Sequence, residues 1–245
     1  MDLLILAAGK GNRIYSKIKT NKCLLKVNKE SLLNKIIRDA SKTKFFENIK
    51  IVTGFKKENI YEQIKNQKKI TTIYNKDFNS KEMLHSLYTG LKKCNNDTLI
   101  TYSDIYYSPK IFSQIKINCK LQKVILPIQL NWKKIWKIRN KDILKDCETL
   151  VHDSKYNLKE IGNKISNLNN VMGQYMGIIY FPKHLIKKIN LYIKEGAEEK
   201  KMHISQFLNI LINKKINIKC IPVKEYWYEF DDYSDLKNFN NRFKN

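Results

Sequence analysis

The chain has 245 residues, of which 42% are hydrophobic and 29% charged, with 8 Gly and 4 Pro, which excludes collagen-like and wholly disordered classes. Its formal net charge of +24 comes from 43 Lys and only 4 Arg, beside 27 Asn, a bias that an AT-rich genome produces by itself. Apolar stretches such as Leu3 to Ala8 and Gly177 to Phe181 fall far short of the roughly 18 residues of a membrane span, so no membrane span is expected.

A strand begins within two residues of Met1 without a basic leader and a longer apolar segment, the pattern expected of a cytoplasmic protein. Strands are predicted at Leu3–Ala7, Ile49–Thr53, Thr71–Tyr74, Thr98–Tyr102, Lys123–Pro127, Tyr175–Phe181 and Asn217–Pro222. Helices are predicted at Ser31–Ser41, Lys57–Asn66, Lys81–Lys93, Lys183–Ile193, His203–Asn213 and Tyr233–Phe243. This alternation implies an α/β fold, a doubly wound, mostly parallel (Rossmann-like) sheet with helices on both faces. Residues 1–245 form one domain, in which 129–170 break the rhythm and are expected to be an acceptor-binding insert or lid. Cys23, Cys94, Cys119, Cys147 and Cys220 are odd in number, scattered and without a C-x-x-C pair, as expected of reduced structural thiols. No two of the four His have the i, i+4 spacing of a metal-binding helix.

The most informative segment is Leu6-Ala7-Ala8-Gly9-Lys10-Gly11-Asn12-Arg13-Ile14, directly after the first strand. At the carboxyl end of a parallel strand, Gly residues let backbone N–H groups approach a phosphate, and small Ala residues leave room for a flat base. Arg13 and Lys22 would then neutralise a triphosphate. The alternative is a simple tight turn. A Rossmann fingerprint fails because Ile14 stands where a third Gly is needed, and no Walker A sequence occurs.

This segment resembles the L-A-A-G-x-G-x-R signature of nucleotidyltransferases, which join a nucleoside triphosphate to a phosphorylated small molecule and release pyrophosphate. The family's following P-K-x-L is met by Asn21-Lys22-Cys23-Leu24, which keeps Lys and Leu but not Pro. The resemblance implies a nucleotide site of Leu6, Ala7, Ala8, Gly9, Gly11, Asn12, Arg13, Lys22 and Ser86, the last within the segment Asn75 to Leu87 that closes over base and ribose. It also implies a catalytic Mg²⁺ held by Asp104, at the end of Thr98–Tyr102, and Asp231, in an E-x-D pattern before the last helix. Independently of the resemblance, one or two carboxylates plus substrate phosphates are the usual Mg²⁺ ligands in nucleotide sites. Each Asp has the alternative of a helix cap, and Asp232 competes with Asp231.

Within the insert, Trp132, Trp136 and Arg139 precede Glu148. Arg grips phosphate bidentately and Trp offers a face to a cationic group; the alternative is that both Trp residues cover the core. The spacing is similar to cytidylyltransferases acting on phosphocholine, aminoethylphosphonate and related phosphorylated amines. That implies CTP as donor and a small phosphorylated or phosphonylated amine or amide as acceptor, with phosphorylated glutamine as first choice. Tyr175 and Tyr228, near later strand ends, complete the expected acceptor site.

In such chemistry Arg13 and Lys22 are the catalytic cations. The nucleophile is an acceptor oxygen already anionic at neutral pH, so alignment and charge neutralisation replace a general base. Two alternatives stay open: a sugar-phosphate nucleotidyltransferase using UTP or dTTP, and a basic nucleic-acid-binding protein. Nucleic acid is not expected as a partner, because no RNA-binding aromatic motif or zinc finger accompanies the charge. A monomer or homodimer is expected.

Overall fold

The computed structural model of the chain describes residues 1–67, 69–80, 82–139, 142–197 and 202–242. The strands are β1 Asp2–Ala7, β2 Lys26–Val27, β3 Glu30–Ser31, β4 Asn48–Thr53, β5 Ile70–Tyr74, β6 Thr98–Tyr102 and β7 Ile105–Tyr107. They continue with β8 Val124–Gln129, β9 Glu148–His152, β10 Leu158–Lys164, β11 Gln174–Tyr175, β12 Ile178–Phe181, β13 Ile218–Val223 and β14 Trp227–Glu229. The helices are α1 Asn12–Ile18, α2 Leu32–Thr43, α3 Lys57–Ile64, α4 Met83–Leu91, α5 Lys110–Asn118 and α6 Trp132–Arg139. After these come α7 Ile143–Asp146, α8 Lys183–Ala197, α9 Ile204–Asn213 and α10 Tyr233–Arg242. Lys81 and Phe243, expected as helix termini, lie outside the described residues.

An eight-stranded sheet runs β11-β8-β12-β6-β1-β4-β5, with β13 also paired to β8. Strand β1 is parallel to both β4 and β6, as β4 is to β5 and β13 to β8. Every residue of β1 is buried because helices cover both faces: Leu3, Ile5 and Ala7 face one core, Leu4 and Leu6 the other. The first core takes Ile36 and Ile37 of α2, Ile60 of α3 and Phe112 of α5; the second takes Leu87 of α4, Ile189 of α8 and Phe207 of α9.

The expected strand Tyr175–Phe181 is divided. Gly177, at φ 73°, notches the chain between β11 and β12, and a side chain there would press within 2.8 Å of the Tyr102 ring. Strand β12 is antiparallel to β6, so the sheet is mixed at this point. Helices α1 and α5 were not among the expected elements: α1 buries only Ile14, and α5 is rich in β-branched and aromatic residues.

Segment 129–170 is no detached flap. Trp132, Ile135, Trp136 and Cys147 join the first core, whereas Leu150, Leu158 and Ile161 of the β9–β10 hairpin join the second. All five cysteines are free thiols, four of them buried. Among the described residues no helix is long and apolar enough to cross a membrane.

Candidate active site

The loop after β1 presents mainly backbone to a ligand, since Leu6, Ala7 and Ala8 are buried while Gly9 and Asn12 are exposed. Gly11 adopts φ 64° at the start of α1, and a Cβ there would meet Lys22 Cδ at 3.0 Å. Its left-handed backbone and missing side chain are therefore both required to seat Lys22. Asn21, where the family carries Pro, is 1% exposed; its Nδ2 donates to Phe55 O at 2.6 Å and its Oδ1 accepts from Asn59 Nδ2 at 3.2 Å. Hydrogen bonds thus supply the rigidity that a proline ring would have given. Lys10 and Lys56 lie over the Tyr15 ring at 5.4 and 5.2 Å, a basic flank to the loop that sequence reading missed.

Pairing explains how Asp104 meets Asp231. Strands β7 and β14 run antiparallel with Glu229 opposite Ile105, and Phe230 N donates to Asp104 O at 3.1 Å. That register brings the two turns together. Lys22 Nζ bridges them, 2.6 Å from Asp104 Oδ2 and 3.1 Å from Asp231 Oδ1, while Arg13 reaches Asp231 Oδ1 at 3.4 Å. Asp232 instead caps α10: its Oδ1 accepts from Asp235 N at 3.1 Å and from Ser234 Oγ.

Burial opposes the charge on Lys22, but Asp104, Asp231 and Glu229 outweigh it and hold the ammonium above its ordinary pKa. Burial likewise works against the Asp231 carboxylate, yet Lys22, Arg139 and Arg13 keep its pKa below the ordinary value. Glu229, which sequence reading did not single out as a site residue, is pushed up to about 8 by burial and by the adjacent Asp231. Its signal was present in the E-x-D pattern. The residues fit a hard divalent ion: Asp104 Oδ1 is buried without a hydrogen-bond partner, beside a second carboxylate. Among the described residues no set of three or more His, Cys, Asp and Glu forms a complete metal cage. An ion here would take further oxygens from substrate.

A cleft of about 270 Å³ opens beside this pair and brings together Arg13, Trp136, Glu148, Tyr175, Glu229 and Asp231. Asp146 and the start of α9, His203 to Ser205, also line it. Its walls thus carry four acidic side chains, Asp146, Glu148, Glu229 and Asp231, of which Asp146, Glu229 and Asp231 also face the Arg139 guanidinium. Other expected acceptor residues are placed differently. Trp132 is 2% exposed in the first core, and Tyr228 is buried with its hydroxyl donating to Asp235 O at 3.0 Å. Neither reaches the cleft.

Arg139 requires a correction. Its side chain is wholly buried, with Nε 3.0 Å from Asp235 Oδ1 and Nη2 3.0 Å from Asp231 Oδ2, so it faces protein carboxylates and not an acceptor phosphate. Ser86 is also engaged, its buried hydroxyl accepting from Asn75 Nδ2 at 3.0 Å, and it braces the loop at 75–77 instead of facing open space.

The sequence model of the family described as the MobA-like NTP transferase domain matches residues 3–155. The CTP:phosphoglutamine cytidylyltransferase of Campylobacter jejuni subsp. jejuni serotype O:2 is 25% identical over 97% of this chain and 98% of its own. Among solved structures, the CTP:phosphocholine cytidylyltransferase of Streptococcus pneumoniae superposes with a TM-score of 0.78 at 19% identity, covering 99% of each chain. A putative glucose-1-phosphate thymidylyltransferase from Bacillus anthracis gives 0.79 at 17% identity, covering 99% of this chain and 94% of that one. At these identities the superpositions establish the fold.

Proposed function

The chain belongs to the MobA-like NTP transferase domain family, and from that premise we propose that it is a Mg²⁺-dependent cytidylyltransferase joining CTP to a small phosphorylated amine or amide. Phosphoglutamine is the first choice of acceptor, supported by full-length similarity to the Campylobacter enzyme. The observation that carries the proposal is Lys22 gathered between Asp104 and Asp231, the latter also lining a cleft with acidic side chains. The acidic side chains of the cleft, Glu148 above all, favour an acceptor with an ammonium group over a neutral sugar.

In the proposed reaction an anionic acceptor oxygen attacks the α-phosphorus of CTP in line. The new P–O bond forms as the bond to the β-phosphate oxygen breaks, and pyrophosphate departs with that electron pair. Arg13 and Lys22 neutralise charge moving onto the leaving group, and the backbone of Ala8 to Gly11 orients the triphosphate. Asp104 and Asp231 would hold the Mg²⁺, which when bound supplies Lewis-acid stabilisation of phosphoryl oxygens. Glu148 receives the acceptor's ammonium.

Pyrophosphate release with CTP, UTP and dTTP against phosphoglutamine, phosphocholine, aminoethylphosphonate and glucose 1-phosphate tests this. The highest kcat/KM is expected for CTP with phosphoglutamine. Preference for glucose 1-phosphate overturns the acceptor, and preference for UTP or dTTP overturns the base.

A further inference from the structure

We infer that Arg139 and Asp235 are positioning residues that fix the rotamer of Asp231 for divalent-ion binding, an inference that rests on Asp231 being a metal ligand as proposed above. Both side chains are fully buried. Their contact is two-pronged, Nε to Asp235 Oδ1 at 3.0 Å and Nη2 to Asp235 Oδ2 at 3.3 Å, the geometry that a planar guanidinium offers and an ammonium does not. The pair holds Asp231 from two directions. Asp235 Oδ2 accepts the backbone N–H of Asp231 at 2.8 Å and of Asp232 at 3.1 Å, fixing the main chain of the turn. Arg139 Nη2 donates to Asp231 Oδ2 at 3.0 Å, so Oδ1 is the oxygen turned toward Lys22 and Arg13. With one oxygen tied back, only the other is presented to the phosphate loop.

The same guanidinium reaches across to the acceptor side. Nη1 lies 3.5 Å from Glu229 and 3.8 Å from Asp146, both lining the cleft, and Cζ stands 4.9 Å from the Trp136 ring centroid. Burying a guanidinium costs several kcal/mol unless it is paired. Here four converge on it, one of them a proposed ligand of the metal. Helix α6 belongs to the insert and Asp235 to α10, so seating Arg139 also registers the acceptor wall against the metal-bearing turn.

The test compares Arg139→Lys, Arg139→Gln, Asp235→Asn and Asp231→Ala in the full chain. Mn²⁺ binding without nucleotide is followed by electron paramagnetic resonance, kcat and KM for CTP by pyrophosphate release, and folding by near-ultraviolet circular dichroism. Arg139→Gln and Asp235→Asn should weaken Mn²⁺ by about 10- to 100-fold, the range for residues that support metal ligands. Their kcat should fall in step at fixed Mg²⁺ and recover partly at higher Mg²⁺, while KM for CTP stays within about twofold, since the phosphate loop is untouched. Arg139→Lys should fall between, because an ammonium makes a single-point contact. Folded variants with unchanged Mn²⁺ affinity and kcat overturn the inference. Should Arg139→Gln not fold, Asp235→Asn, which preserves shape, decides alone. Unchanged Mn²⁺ affinity in Asp231→Ala would instead overturn the assignment of the ligand itself, and the positioning role with it.

Discussion

Replacing Lys22 with Met removes the ammonium while keeping most of the stem that packs against Gly11. In the wild-type chain that ammonium sits between Asp104 at 2.6 Å and Asp231 at 3.1 Å, with its side chain 14% exposed and theirs 12% and 17%. Water therefore cannot take over its role. Removing one partner of a largely buried ion pair costs about 3–5 kcal/mol, because the remaining charges lose their compensation. Two signs follow. Urea unfolding without divalent ions should show a loss in that range, and Mn²⁺ or Mg²⁺ added to Lys22→Met should restore more stability than it adds to wild type, since the ion then enters without displacing an ammonium. Turnover should nevertheless fall by about two decades, roughly 2.7 kcal/mol of transition-state stabilisation, because charge on the departing pyrophosphate loses a counter-ion. A folded Lys22→Met enzyme with wild-type stability, CTP affinity and kcat would refute the placement of Lys22 between metal site and triphosphate.

Gly11→Ala should cost about 1–2 kcal/mol of stability and weaken CTP several-fold, because φ 64° is unfavourable for Ala and the new methyl meets Lys22 at 3.0 Å; thermal melts and nucleotide titration check it. Asp231→Asn should abolish metal-dependent turnover, whereas Asp232→Asn, which alters the cap of α10, should cost about 1 kcal/mol or less of stability and leave kcat within a few-fold; steady-state kinetics of the two decide. For Asp2, burial raises the pKa but bonds from Lys50, Asn48 and Asn96 outweigh it, so the folded-state value lies below 3.8. Its stabilisation is then present above that value and lost as pH falls through the folded pKa. Asp2→Asn should lower stability at neutral pH, and the gap to wild type should narrow as pH falls below 3.8 and through the lower folded-state pKa, as urea titrations at several pH values would show.

Local signals carried most of what the sequence revealed. The run Leu3 to Ala8 identifies a strand buried on both faces, and the adjacent Gly9 and Gly11 are legible as a phosphate loop because strand, turn and helix start lie within a dozen residues. Asp104 and Asp231 were accessible through their positions at strand ends. What stayed hidden depends on pairing across the chain. Arg139 looked like an anion gripper because its carboxylate partners Asp231 and Asp235 lie in a different element far along the sequence. Trp132 and Trp136 satisfy the same local pattern, yet only Trp136 lines the cleft; which indole turns inward is set by packing of α6 against both the core and α10. Gly177 gave no warning that it would break a strand, since its effect comes from the Tyr102 ring on the neighbouring strand.

The ribbon of β7 and β14 has a consequence for synthesis of the chain. Asp104 emerges early, together with the phosphate loop and Lys22, but its companion turn is anchored only when β14 docks on β7 and Phe230 bonds to Asp104 O. A nascent or prematurely terminated chain ending before β14 lacks Asp231 together with Trp227, Tyr228, Phe230 and Phe239 of the first core and the Asp235 partner of buried Arg139. Activity is thus reserved for the chain whose last segment has been made and folded back, a checkpoint imposed by strand order and requiring no partner to enforce it.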